Sequence, residues 1–188
     1  MLDSILLLMK KEYIQKIMIP EGVEVEVDGD VLKVNGKEGK SSREFKTDRL
    51  TMEKKGNEII IGNKNASKKE KKMINTTKAH VTNMIKGVQK KFEYRLKVCY
   101  NHFPFTVEVK GKEAIIKNFL GEKTPRRAHI PGNVEVKIEK DIITIKSHDK
   151  ELAGQTAANF ETATKIRLRD RRVFQDGIFI IEKNGRQI

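Results

Sequence analysis

Two short stretches hold the residue types that grip phosphate. The first, "KNFLGEKTPRR" (residues 117–127), sets a glycine, a lysine and a threonine beside two arginines. A nucleotide-binding loop needs G-x-x-x-x-G-K-[ST], so that backbone N–H groups cradle the phosphates and the lysine reaches them. Here Glu122 follows Gly121 where the lysine belongs, and Ile116 stands where the first glycine belongs. The stretch is therefore no nucleotide site, and the cations Lys117, Lys123, Arg126 and Arg127, with Asn118, are left to meet another kind of phosphate. Pro125 stiffens this basic loop and removes one backbone donor.

The second stretch, "KIRLRDRR" (165–172), has five basic residues against one acid. Its arginines point to phosphate because a planar guanidinium binds two phosphate oxygens at once and also stacks on unpaired bases. Alternation predicts Ile166 and Leu168 turned inward, with Lys165, Arg167 and Arg169 outward on a strand or tight connection; Arg171 and Arg172 complete the basic run. Lys183 and Arg186 add charge near the end, and Lys37 and Lys40 form a secondary basic site. The window 64–91 holds nine lysines and one glutamate, which fits a solvated helix face as well as a phosphate-contacting one.

Other chemistries lack their parts. His80, His102, His129 and His148 are scattered and have no cysteine partners for a zinc site. The single cysteine, Cys99, lies in an alternating apolar run and reads as a small buried hydrophobe; with no second cysteine, an intracellular setting is expected. No carboxylate pair or Ser/His/Asp set suggests catalysis. Neither an enzyme, a cofactor, a metal nor a small-molecule substrate is expected. Phe103, Phe105 and Phe160 sit at core-like spacing and are expected to pack inside, which favours double-helical over single-stranded nucleic acid as the target.

Composition bounds the partner. The 188 residues include 39 Lys+Arg against 26 Asp+Glu, a formal net charge of +13. Folding does not require such an excess, which repels itself and marks a polyanionic partner, either nucleic acid or an anionic membrane surface. The apolar cluster Ile5 to Met9 is too short to span a bilayer, so no membrane insertion is expected.

Short alternating strands must position these residues. "GVEVEVDGDVLKVNG" predicts a hairpin turning at Asp28-Gly29, "TVEVKGKEAIIKN" one at Lys110-Gly111, and "NVEVKIEKDIITIKS" one at Lys140-Asp141. Two segments change to helical period. Met73, Thr77, Val81, Met84, Ile85 and Val88 predict one amphipathic helix, with a Ser67/Glu70 capping box and Gly87 as its stop. Leu152, Ala153, Thr156, Ala157, Phe160 and Ala163 predict another, capped by Asp149.

The order strands–helix–strands–helix implies a duplication. An offset of 82 lays Val25, Val27, Gly29 and Gly39 on Val107, Val109, Gly111 and Gly121, and it makes "NFLGEK" the counterpart of "NGKEGK". The expected fold is α+β: two tandem duplicated domains, each an antiparallel sheet packed against one helix, spanning 1–88 and 89–188.

The strings "HVTNMIKGV", "FEYRLKVCYNHFP", "NFLGEK" and "RRVFQDGIFIIEKNG" together resemble the large ribosomal subunit protein six family, called protein nine in eukaryotes, over about residues 12–188. The ending is similar to the archaeal–eukaryotic branch. The resemblance implies a structural, non-catalytic component of the cytoplasmic ribosome. It implies binding to large-subunit rRNA, mainly through residues 89–188, beside the sarcin–ricin loop. Neighbouring ribosomal proteins at the base of the lateral stalk and transiently bound translation factors are the other implied partners. It also tilts Lys68 to Lys72 toward a solvated role. Chains of this branch start near the position of Met9, so residues 1–8 are expected as an upstream extension or a misassigned start.

Overall fold

The computed structural model describes residues 11–45 and 50–188; the expected extension at residues 1–8 lies outside them. These residues form two compact units, divided along the chain between Lys90 and Lys91.

In the first unit, β1 (Lys11–Met18), β6 (Glu58–Ala66) and β5 (Thr51–Lys55) make one antiparallel sheet in that order. A second sheet joins β2 (Glu24–Asp28), β3 (Val31–Gly36) and β4 (Gly39–Glu44). Helix α1 (Lys68–Gln89) packs on both sheets. Alternation along β3 and β6 turns Leu32, Val34, Ile59 and Ile61 inward, where they meet Ile74, Val81, Ile85 and Val88 of α1. The start of α1 is fixed as predicted: the Ser67 side chain accepts from the Lys69 N–H, and Glu70 accepts from the Ser67 N–H. Gly87 does not stop the helix. It is buried within it, and the turn continues to Gln89 until Lys90 adopts an extended backbone.

The second unit follows the same plan. β8 (Thr106–Lys110), β9 (Glu113–Lys117) and β10 (Arg126–His129) form the smaller sheet. The larger sheet runs β11 (Glu135–Glu139), β12 (Ile142–Ser147), β7 (Phe92–Cys99), β13 (Gly177–Lys183) and β14 (Arg186–Gln187). Helix α2 (Lys150–Ala163) packs on both, burying Ala153, Ala157 and Phe160 against Leu96, Ile143, Ile145 and Ile178. Asp149 caps it through the N–H groups of Glu151 and Leu152.

The fold is thus α+β and duplicated, with two sheets per unit where one was expected. β2 maps onto β8, and the N-caps Ser67 and Asp149 correspond, at the predicted offset of 82. The second unit then adds β13–β14 beside β7. Turn positions shift by one residue from two of the predictions: Asp28 pairs with Val31 and Lys110 with Glu113, so the loops are Gly29-Asp30 and Gly111-Lys112. Each leading glycine has a positive φ, +58° and +61°, which L side chains reach only with strain.

The two glycine loops are not equivalent. In the first unit Gly36 pairs with Gly39 across a two-residue turn. In the second, the connection from β9 to β10 spans 118–125 and contains a 3₁₀ turn, Phe119–Gly121. The two units share the flanking strands, and this loop is the longer one in the second.

Candidate nucleic-acid interface

The longer loop is held in a specific shape. Asn118, Leu120 and Gly121 have φ values of +63°, +50° and +76°. Asparagine and glycine tolerate this region, whereas leucine seldom does. Phe119 resolves the conflict by inserting into the core, and Leu120 packs beside it. Asn118, expected from sequence as an RNA contact, donates from its side-chain amide to the Pro104 carbonyl at 2.9 Å.

Arg126 is likewise occupied. Its Nε and Nη2 donate to the two carboxylate oxygens of Glu122 at 2.8 and 2.6 Å, and its Nη1 donates to the carbonyls of Ala163 and Lys165 at 3.0 and 3.3 Å. The guanidinium also lies 4.4 Å from the Phe119 ring centroid. Helix α2 has no basic residue in its last turn, and Arg126 supplies from outside the cation that its C-terminal carbonyls favour. Its hydrogen bonds also hold the Glu122 carboxyl below the usual carboxylate range; partial burial opposes this and Arg169 assists. The glutamate that spoiled the nucleotide-loop motif is therefore neutralised internally.

This clamp ties the loop to the arginine-rich segment and closes a groove of about 530 Å³. The walls carry Arg126, Arg127, Lys165, Arg167 and Arg169, with Glu122 as the one acid. The segment is not a strand. Leu168, expected inward, is fully exposed, because its φ of +58° reverses the chain there; Ile166 does pack on the core. The one acid of the segment, Asp170, serves the backbone: its carboxylate accepts from the Arg172 N–H, and its carbonyl accepts from Val173 and Phe174. Every basic side chain of the segment is left outward. Lys165 and Arg171 also line a neighbouring cavity of about 760 Å³ that shares the Thr162–Ile166 wall.

Arg127 belongs to the groove lining, whereas Lys117, Lys123, Lys183 and Arg186 lie outside it. Lys117 pairs across the sheet with Glu108 at 2.7 Å. Arg127 is within 3.5 Å of Glu113 but mostly exposed. Lys123 is exposed on the loop. Lys183 and Arg186 flank the Asn184-Gly185 turn of the β13–β14 ribbon, both exposed. In the first unit, Lys37 caps the β3–β4 turn and Lys40 lies on the open face of its sheet near Glu24 and Glu26.

Sequence reasoning missed the supports of this interface. Asp176, 2% exposed, accepts the backbone N–H groups of Asn101 and His102 at 2.8 and 3.0 Å and pairs with His102 Nδ1 at 2.6 Å. His102 stacks on Phe174 with centroids 4.6 Å apart, and Arg169 lies 4.8 Å from that same ring. Phe103, expected in the core, is 51% exposed. The signal was the string "CYNHFPF", whose proline and paired polar residues break the alternation of β7. Among the described residues, no group of His, Cys, Asp or Glu could hold a metal ion, and no helix is long and apolar enough to cross a membrane.

The sequence model of ribosomal protein L6 matches the chain twice, at residues 19–91 and 103–177. Similar proteins include the "Large ribosomal subunit protein uL6" of Methanobrevibacter smithii, 46% identical over 90% of this chain and 95% of that protein. The protein of the same name from Methanothrix thermoacetophila is 43% identical, over 93% of this chain and 99% of its own length. That from Archaeoglobus fulgidus is 44% identical, over 89% and 88%.

Proposed function

The chain belongs to the ribosomal protein L6 family, as a structural, non-enzymatic protein of the large ribosomal subunit, and from that premise we propose that it binds large-subunit rRNA through the groove of its second unit. The observation that carries this reading is the convergence of two basic segments, about forty residues apart in sequence, on one cavity. In this reading Arg127, Lys165, Arg167 and Arg169 contact phosphates from within the groove, while Lys123, Arg171 and Arg172 do so from its rim. Arg126 and Asn118 are positioning residues, because their donors are spent on the protein. Lys117, Lys183 and Arg186 are peripheral contacts, and Lys37 and Lys40 secondary ones in the first unit. A rigid basic groove suits A-form RNA, which is recognised by shape, phosphate and 2′-hydroxyl.

The site on the ribosome follows the family resemblance: beside the sarcin–ricin loop, near the factor-binding region and the lateral stalk base. Neighbouring ribosomal proteins and transient translation factors complete its surroundings in the cytoplasm.

The test is binding to an rRNA fragment containing the sarcin–ricin region across a salt series. Four groove and three rim contacts predict that log K falls with log salt at a slope of about −6. Replacing Arg167, Arg171 and Arg172 together with alanine is expected to weaken binding and flatten that slope more than replacing Lys68, Lys69 and Lys71. A flat dependence, the reverse ranking of the variants, or equal affinity for duplex DNA would refute the reading.

A further inference from the structure

The loop between β7 and β8, residues 100–105, packs beside the groove, on the turn at Gly121 and on Phe174. On one side, Phe103 lies against Gly121, where a Cβ would sit 3.9 Å from its ring; Gly121 is flanked by Leu120 and Glu122 of the groove lining. On the other, His102 stacks on Phe174, over which Arg169 lies. The loop is pinned at three points: the backbone N–H groups of Asn101 and His102 on buried Asp176, the His102 ring on the same carboxylate, and the Pro104 carbonyl on Asn118.

A loop held this firmly nevertheless leaves two aromatic rings in solvent, Tyr100 at 49% and Phe103 at 51%. Scattered exposed apolar residues need no explanation. An aromatic ring on a preorganised loop next to a cationic groove is different, because every nucleotide base has a face to stack and is flanked by phosphates. A buried anchor in an apolar protein partner would not call for a groove of arginine and lysine beside it.

We propose that Phe103 is a base-stacking residue: it takes the face of one unpaired base in an otherwise double-helical RNA, while phosphates of the flanking nucleotides occupy the groove. This rests on the RNA-binding reading above and refines its target from a plain duplex to a duplex interrupted by an unpaired nucleotide. Since Asp176 and Asn118 fix the loop before binding, ordering it adds little cost on association.

The experiment uses the full chain and the sarcin–ricin rRNA fragment, with 2-aminopurine placed in turn at each unpaired position. At one position the wild-type protein is expected to change the fluorescence, and Phe103→Ala to abolish that change. The same substitution should lower affinity about tenfold with the salt slope unaltered, and Phe103→Trp should restore both. Phe103 is a surface ring, so circular dichroism of Phe103→Ala is expected to match the wild type. If no position distinguishes wild type from Phe103→Ala, the proposal is overturned while the groove reading stands. If Phe103→Ala binds the fragment normally but enters large subunits poorly, the ring meets protein and the proposal is again overturned. If neither protein binds with a salt dependence, the RNA-binding reading fails and takes this one with it.

Discussion

Replacing Arg126 with alanine separates the two roles that a basic residue can play here. The side chain is about three-quarters buried and makes five contacts at once: both oxygens of Glu122, the carbonyls of Ala163 and Lys165, and the face of Phe119. The two carbonyl bonds, one of them long, contribute about 1.5 kcal/mol together. The bidentate pair with Glu122, partly exposed, adds about 1 kcal/mol, and the ring contact adds about 0.5 kcal/mol. Contacts sharing one guanidinium are not independent, so we expect Arg126→Ala to cost about 2–3 kcal/mol. On a unit of this size that lowers the melting temperature by about 10–20 °C. Arg127→Ala removes the same charge one residue on, but its pair with Glu113 is long and well exposed, so its cost is about 0.5 kcal/mol or less. Urea unfolding followed by circular dichroism measures both, and amide hydrogen exchange should localise the Arg126 effect to residues 117–127 and 160–166. Arg126→Lys keeps the charge without the planar fork and is expected to recover less than half the loss. Equal midpoints for Arg126→Ala and Arg127→Ala, or full recovery with lysine, would refute the clamp.

Burial pushes the Asp176 carboxyl upward, but hydrogen bonds from the His102 and Asn101 backbones and from the His102 ring outweigh it, and the folded-state pKa is lowered. Its stabilisation is therefore fully present above the unfolded value of about 3.9 and lost as pH falls through the lower folded value. Asp176→Asn should be less stable than wild type at neutral pH, and the gap should shrink below about pH 4 in urea midpoints taken across pH; a gap constant through that window would refute the assignment. In the first unit, a Cβ at Gly36 would lie 2.9 Å from both the Val88 side chain and its carbonyl oxygen. The backbone oxygen cannot yield, so Gly36→Ala should cost about 1–3 kcal/mol. Gly132→Ala, with open space around it, serves as the control in the same unfolding assay and should change little.

What could be read along the chain was whatever depends on neighbours in sequence. Alternating valines and isoleucines specify which face of each strand is buried, because the side-chain period is two. Ser67 and Asp149 announce the helix starts through bonds only two or three residues long. Gly29 and Gly111 mark turns because glycine reaches positive φ without strain, although the pairing register shifted each turn by one residue. The family and the excess positive charge were legible for the same reason, since composition and motifs are properties of the string.

What a basic residue does with its charge was not legible, since that depends on partners far along the chain. Arg126 and Arg127 are adjacent and chemically identical. One is spent on Glu122 and on carbonyls 37 and 39 residues away, and the other faces solvent beside Glu113. Leu168 keeps the inward phase of its segment on paper, yet a single left-handed φ turns it outward. Phe103 has core-like spacing, but Asp176, 73 residues later, holds its loop at the surface. Local pattern therefore determined the elements and the sign of the charge. Only tertiary packing decided which cations remain free for a partner, because each guanidinium has one set of donors and the fold claims some of them first.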